Sequence, residues 1–169
     1  MFEKQPTGII DIDNIDDVRF EKMSKADIDQ VLKIQEGRSL SAVLKKFDGN
    51  KDEVERNDFL VHLLSKAEIA EILDKPNGIE TIVCKEGDKI VGYAIGYDLG
   101  LWRELNPDWT AGLDFNSGAD ESEILNEAMY FRHVNTAPDA KAGTGKKISL
   151  QLVNQAKEKG FKKVFGEIL

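Results

Sequence analysis

The chain has 169 residues, of which 41% are hydrophobic and 32% charged, a composition that suits one globular domain with a single buried core and excludes a disordered chain. A net charge of −8 and a pI near 4.9 argue against a general nucleic-acid binder, which carries a basic stripe, and fit a small-molecule enzyme or one whose acceptor is a cation such as an amine. No apolar run reaches the roughly 18–20 residues of a membrane span, and Met1 to Asn14 lacks the apolar core of a signal peptide, so a cytoplasmic protein without membrane contact is expected.

Residues 1–16 are polar and acidic and read as a flexible arm, with a single domain over 17–169. Val18 to Met23 alternates as a short strand does. Ser24-Lys25-Ala26-Asp27 reads as a capped helix start, continued by Ile28, Val31, Leu32 and Gln35. Leu40 to Phe47 predicts a second short helix, broken by Asp48-Gly49-Asn50. Residues 52–64 carry Val54, Phe59, Leu60, Leu63 and Leu64 near helical spacing. Ser65-Lys66-Ala67-Glu68 is another capping pattern, and Pro76-Asn77-Gly78 ends the helix that follows it.

Glu80 to Lys85 and Lys89 to Tyr97 predict a hairpin around Glu86-Gly87-Asp88. Cys84 lies on its first strand as a buried, inert thiol; one cysteine makes no internal disulfide. Gly92 and Gly96 on the second strand leave room for another backbone or a ligand. Residues 98–125 resist assignment; Trp102 and Trp109 there either line a pocket or dock the loop. Ala128 to Thr136 reads as a strand, Thr144 to Lys159 as an amphipathic helix stopped by Gly160, and Phe161 to Ile168 as a last strand. The order implies a mixed α/β layered domain.

The chemistry concentrates in the strand–turn–helix segment from Val134 to Lys147. The first-turn N–H groups of the helix lack internal partners and carry the positive end of its dipole. Gly143 and Gly145 let an anion come close, and Lys141, Lys146 and Lys147 add charge. A Walker A loop is excluded, because Ala140 stands where its first glycine belongs and Lys147 where it needs Ser or Thr. A Rossmann fingerprint is excluded because Ile148 holds the third glycine position. A plain β-α turn with structural glycines stays open on these residues alone.

Pro138-Asp-x-Lys-x-Gly-x-Gly145, then an amphipathic helix, then Ala156-x-x-x-Gly160-Phe161-x-x-Val164, resembles motif A of the GNAT acyltransferases. The strand Lys89 to Gly96 is similar to the family's third strand. The resemblance covers about residues 17–169. It implies a largely antiparallel mixed α/β (α+β) sheet with helices on both faces, and acetyl-CoA as co-substrate. Lys141, Ala142, Gly143, Thr144, Gly145 and Lys146 would hold the pyrophosphate; Val134, Asn135 and Thr136 would hold pantetheine. Ala140 stands at the family's Arg/Gln position, with Lys141 as its substitute. The given sequence ends at Leu169, where the resemblance places the end of the family's fifth strand, so the usual final helix and two strands are expected to be missing.

Strand parity puts Tyr130 and Arg132 with Val134 and Thr136, which makes Tyr130 the candidate for proton relay and His133 a structural residue. The implied reaction is direct attack of an amine, on a small molecule or a peptide, on the thioester, with no metal. The rival reading is a non-catalytic CoA-binding or interaction module, or a fragment of a longer acetyltransferase. An uncovered strand at Phe161–Ile168 is expected to give a homodimer or a poorly stable chain, unless the last two strands close on each other.

Overall fold

The computed structural model describes residues 18–50, 63–75, 77–108 and 121–166. In chain order they form β1 (Val18–Lys22), a 3-10 turn (Lys25–Asp27), α1 (Ile28–Gly37), α2 (Leu40–Lys46) and α3 (Lys66–Asp74). The hairpin β2 (Ile79–Glu86) and β3 (Lys89–Asp98) follows, then α4 (Leu99–Leu105), α5 (Glu121–Glu127), β4 (Ala128–Thr136), α6 (Thr144–Glu158) and β5 (Lys163–Gly166). One sheet runs in the order β1-β2-β3-β4-β5, antiparallel except for the parallel pair β4–β5. The expected arm 1–16, the helical spacing at 52–62 and Trp109 fall outside the described residues.

Local chemistry sets the helix starts. The Asp27 carboxylate accepts both the N–H of Ser24 at 2.8 Å and its hydroxyl at 2.7 Å. At α3 the exchange is reciprocal: Ser65 Oγ accepts the Glu68 N–H at 3.2 Å, and the Glu68 carboxylate accepts the Ser65 N–H at 2.7 Å. Leu63 and Leu64, read as helical, lie outside any helix. The buried carboxamide of Gln35 accepts the Leu64 N–H at 2.8 Å and donates to its carbonyl at 3.2 Å. That paired bond pins the start of α3 onto α1. The unassigned stretch yields α4, capped by Asp98 Oδ1, which accepts from Gly100 and Leu101 at 2.8 and 3.3 Å.

Two apolar clusters sandwich the sheet. On one face Ile28, Val31 and Ile34 of α1, Ile69 of α3 and Trp102 of α4 pack on Val83, Tyr93, Ile95, Tyr97 and Tyr130. On the other, Ile148, Leu152 and Ala156 form one stripe of α6 against Ile82, Cys84, Ala94 and Met129. Gly92 is what lets α6 sit this close. A Cβ there would meet the Ile148 side chain and lie 2.9 Å from the Asn135 carbonyl. At Gly96 it would lie 3.1 Å from Met129 Sδ. The room at both glycines is therefore taken by side chains and strand backbone. Burial pushes the Cys84 thiol up to about 11, which keeps it protonated and inert at neutral pH.

The α6 helix ends in a Schellman turn. Gly160 at φ +89 donates to Lys157, and Phe161 donates to Ala156 at 3.0 Å. The last strand starts two residues later than expected, at Lys163, and the expected positions 167–168 fall outside the described residues; its Val164 and Phe165 are more than a third exposed.

Candidate functional site

Strand β4 changes character halfway along. Its first four residues pair with β5, from Ala128↔Lys163 to Phe131↔Gly166. Against β3, Gly96 faces Phe131 and Ile95 faces His133, so Arg132 is an inserted, bulged residue. A bulge bends and twists its strand; the described pairing with β5 runs as far as Phe131↔Gly166. Beyond the bulge, Ala137 donates to the Val91 carbonyl at 2.9 Å. Backbone direction alternates along a strand, so Asn135 also points at β3, and the backbone groups of Val134 and Thr136 point away from it, to the side where β5 runs.

The bulge also reverses side-chain parity, which corrects the expected grouping of Tyr130 and Arg132 with Val134 and Thr136. Tyr130 is fully buried on the α1 face against Trp102, at 5.1 Å between ring centroids. Val134 packs with the α6 cluster, and the Thr136 methyl lies 3.6 Å from where a Gly145 Cβ would stand. The Asn135 side chain turns inward and donates to the Tyr93 hydroxyl at 2.8 Å.

The turn after β4 brings the glycines to the start of α6. Gly143 is the cap residue, in the left-handed region at φ +88, which favours glycine. Thr144 folds its N–H and hydroxyl back onto the Lys141 carbonyl, at 3.2 and 2.7 Å. The N–H groups of Gly145 and Lys146 belong to a first turn with no carbonyl one turn back. Ala142 and Lys146 are exposed. Lys141 is exposed too and is ion-paired to Glu86 at 2.6 Å; Asp139 pairs with Lys89 at 2.5 Å. One residue escapes sequence reasoning: Arg38, past the end of α1, donates to the Thr136 carbonyl and hydroxyl, both at 3.1 Å.

On the α1 face, against the bulge, lies a cavity of about 350 Å³. Ile79, Tyr97 and Trp102 form its floor, Glu68, Glu71, Ile72 and Lys75 of α3 one wall, and Arg132 and His133 the side toward β4. Tyr97 and Trp102 stack at 4.8 Å, and the Arg132 guanidinium lies 5.6 Å over the Trp102 ring. Burial pushes the Tyr97 hydroxyl up to about 12, with Arg132 opposing and Glu68 adding to the effect. Trp102 thus both docks α4 and lines a pocket. His133 is 5% exposed and lines the cavity, next in chain to Val134. Among the described residues no group of three or more His, Cys, Asp or Glu is placed to hold a metal, and no helix is long and apolar enough to cross a membrane.

No protein-family profile matches the sequence, and no curated protein matches it. Solved structures do match in fold. An aminoglycoside acetyltransferase from an uncultured soil metagenomic sample, in complex with sisomicin, aligns over 94% of this chain and 80% of its own, at 17% identity and a TM-score of 0.51. A Trypanosoma brucei acetyltransferase aligns over 90% and 84%, at 19% identity and a TM-score of 0.52. The PaiA N-acetyltransferase of Thermoplasma acidophilum, in complex with coenzyme A, aligns over 85% and 74%, at 11% identity and a TM-score of 0.51. With its bulged fourth strand, parallel fifth strand and glycine turn into α6, the chain carries the GNAT acetyltransferase fold.

Proposed function

We propose that the chain transfers an acetyl group from acetyl-CoA to an amine by direct attack. The observation that carries this reading is the bulge of β4 at Arg132, after which the backbone of Val134 and Thr136 faces away from β3, beside the glycine turn into α6. Pantetheine lies along this end of β4 as an extra strand, bonded by the Val134 carbonyl and the Thr136 N–H. The pyrophosphate sits at the N–H groups of Gly143 to Lys146, with Lys141 and Lys146 alongside. The coenzyme A in the Thermoplasma structure supports this assignment by analogy of fold.

The Val134 N–H polarises the thioester carbonyl; one such donor is worth about 10²–10³ in rate. The amine arrives through the cavity. Its nitrogen lone pair forms the N–C bond, the C–S bond breaks, and the electron pair stays on sulfur. His133, on the cavity side, takes the proton that the nitrogen loses, and the thiolate leaves as CoA-SH once protonated. Imidazole exchanges protons near neutrality. Tyr130, the relay expected from the sequence, lies deeper on the same face; His133→Gln against Tyr130→Phe, compared by kcat, assigns the step.

Gly145→Glu tests the donor site. A Gly145 Cβ meets Thr136 at an ordinary contact distance, whereas any side chain at Gly143 would be strained at φ +88. Calorimetry should show acetyl-CoA bound by the native chain and about tenfold or more weaker binding to the variant, from added negative charge at the anion site. Unchanged affinity would contradict the site. Binding without turnover of any amine would make the chain a non-catalytic CoA-binding module. The homodimer expected from the exposed β5 edge belongs to the same reading, and light scattering on the full chain decides it.

A further inference from the structure

We propose that Arg38 is a positioning residue of the donor site: it fixes the end of β4 against the first turn of α6 and so holds the Thr136 N–H in place for the pantetheine arm. The inference rests on the acetyl-transfer reading above for its ligand, and on the bonds of Arg38 for the linkage itself.

Arg38 stands on a braced corner. It follows α1, and its N–H is bonded to the carbonyls of Ile34 and Gln35 at 3.2 and 3.1 Å. Ser39 ties the corner to α2: its hydroxyl donates to the Glu36 carbonyl at 2.7 Å and accepts the Ala42 N–H at 3.3 Å. One residue earlier, Gly37 lies so near the exit of β4 that a Cβ there would stand 3.0 Å from Pro138 Cγ. The backbone of the corner is therefore set before the side chain reaches out, and less freedom is lost in forming its bonds.

The side chain then grips one residue at two points. Nε and Nη2 share one edge of the planar guanidinium, and they donate to the carbonyl and the hydroxyl of Thr136, both at 3.1 Å. The first bond engages the carbonyl that faces away from β3. Of the two outward backbone groups of Thr136, the N–H is then the one offered to an added strand, and it matches an amide carbonyl of pantetheine. The second bond holds the hydroxyl and with it the side-chain rotamer, because Thr is stiff about its first torsion. In that rotamer the methyl stands 3.6 Å from the position of a Gly145 Cβ and 3.4 Å from that of a Gly92 Cβ. Thr136 thus meets Arg38 with its polar atoms and the α6 side with its methyl.

This divides the coenzyme into two parts. The anion site is built within its own turn, by the left-handed backbone of Gly143 and the bonds of Thr144 to the Lys141 carbonyl. The pantetheine site depends on Thr136, and so on Arg38. Loss of Arg38 is felt by a ligand that carries pantetheine and not by one that carries the pyrophosphate alone. A merely structural tie between α1 and β4 would weaken both alike.

The test is amide-resolved NMR of the full chain, titrated with coenzyme A and with ADP, which has the pyrophosphate without pantetheine. Arg38→Met should raise the Kd for coenzyme A about tenfold or more, the order of loss for hydrogen bonds from a charged donor, and leave that for ADP within about twofold. In the ligand-free variant the amides of Ala137, which shares a peptide with the Thr136 carbonyl, and of Gly145 should shift. Thr136→Val keeps the methyl and removes the hydroxyl; it should weaken coenzyme A by a smaller factor, about threefold, and again spare ADP, which carries the test if Arg38→Met does not fold. Arg38→Lys keeps the charge without the fork and should recover little of the loss. Equal losses for the two ligands, unchanged affinity for coenzyme A, an unmoved Gly145 amide or full recovery with lysine overturns the proposal. A native chain that binds neither ligand defeats the donor-site reading and Arg38 with it; native binding of both, with Arg38→Met indifferent, defeats the role of Arg38 alone.

Discussion

Gly92 shows how much one missing side chain can decide. It lies where β3 meets both β4 and α6, and the nearest atoms to a Cβ are the Ile148 side chain and the Asn135 carbonyl. The carbonyl belongs to strand backbone that cannot step aside. Gly92→Ala should therefore destabilise the fold by about 1–3 kcal/mol, as overpacking does, seen as a lower denaturant midpoint. An unchanged midpoint would mean that α6 is not seated on the sheet as described. The same packing distinguishes two glycines that the sequence treats alike. Gly143 holds a left-handed backbone that favours glycine, whereas a Cβ at Gly145 would meet Thr136 at an ordinary contact distance of 3.6 Å.

Between β1, the 3-10 turn and β2, Lys85 reaches both Glu21 and Asp27 at 2.9 Å, with Lys85 and Asp27 nearly out of water. Burial works against the Asp27 charge, but the bonds from Lys85 and Ser24 overcome it and hold the carboxyl below its ordinary value. A carboxylate depressed in the fold contributes stability that is complete above its unfolded value of about 4 and is lost as pH falls through the folded value. Unfolding free energy should fall as pH drops below about 4, and Asp27→Asn should flatten that slope while lowering stability at pH 7. An identical slope in the variant would remove Asp27 from the account. At this scale the sequence was readable wherever the signal was local. The Ser24 and Ser65 caps lie three residues from their carboxylate partners, and both are in place. Helix α4 was missed because its cap, Asp98, is also the last residue of β3 and the helix is only seven residues long. The run of leucines at 63–64 mimicked helical spacing, while the Leu64 backbone is bonded to Gln35, 29 residues away in sequence, and not to a helix.

Over the whole molecule, the order of strands and the α/β layering were legible, because each strand carries its own alternation and each helix its own apolar stripe. The site was legible only in part. The glycine turn at 143–145 announces itself, since turn chemistry is local. The bulge at Arg132 does not, because an inserted strand residue leaves no mark on composition, and one unseen insertion put Tyr130 on the face opposite Val134. The bond from Arg38 to Thr136 spans 98 residues and is beyond any local pattern. The central claim of the proposed function is that the end of β4 beyond the bulge and the first turn of α6 form one donor site. Amide-resolved NMR of the chain titrated with coenzyme A tests it most directly. Shifts concentrated at Val134, Thr136 and Gly143 to Lys146 are predicted; a folded chain whose amides stay unmoved at millimolar coenzyme A, or move only around α3, would contradict it.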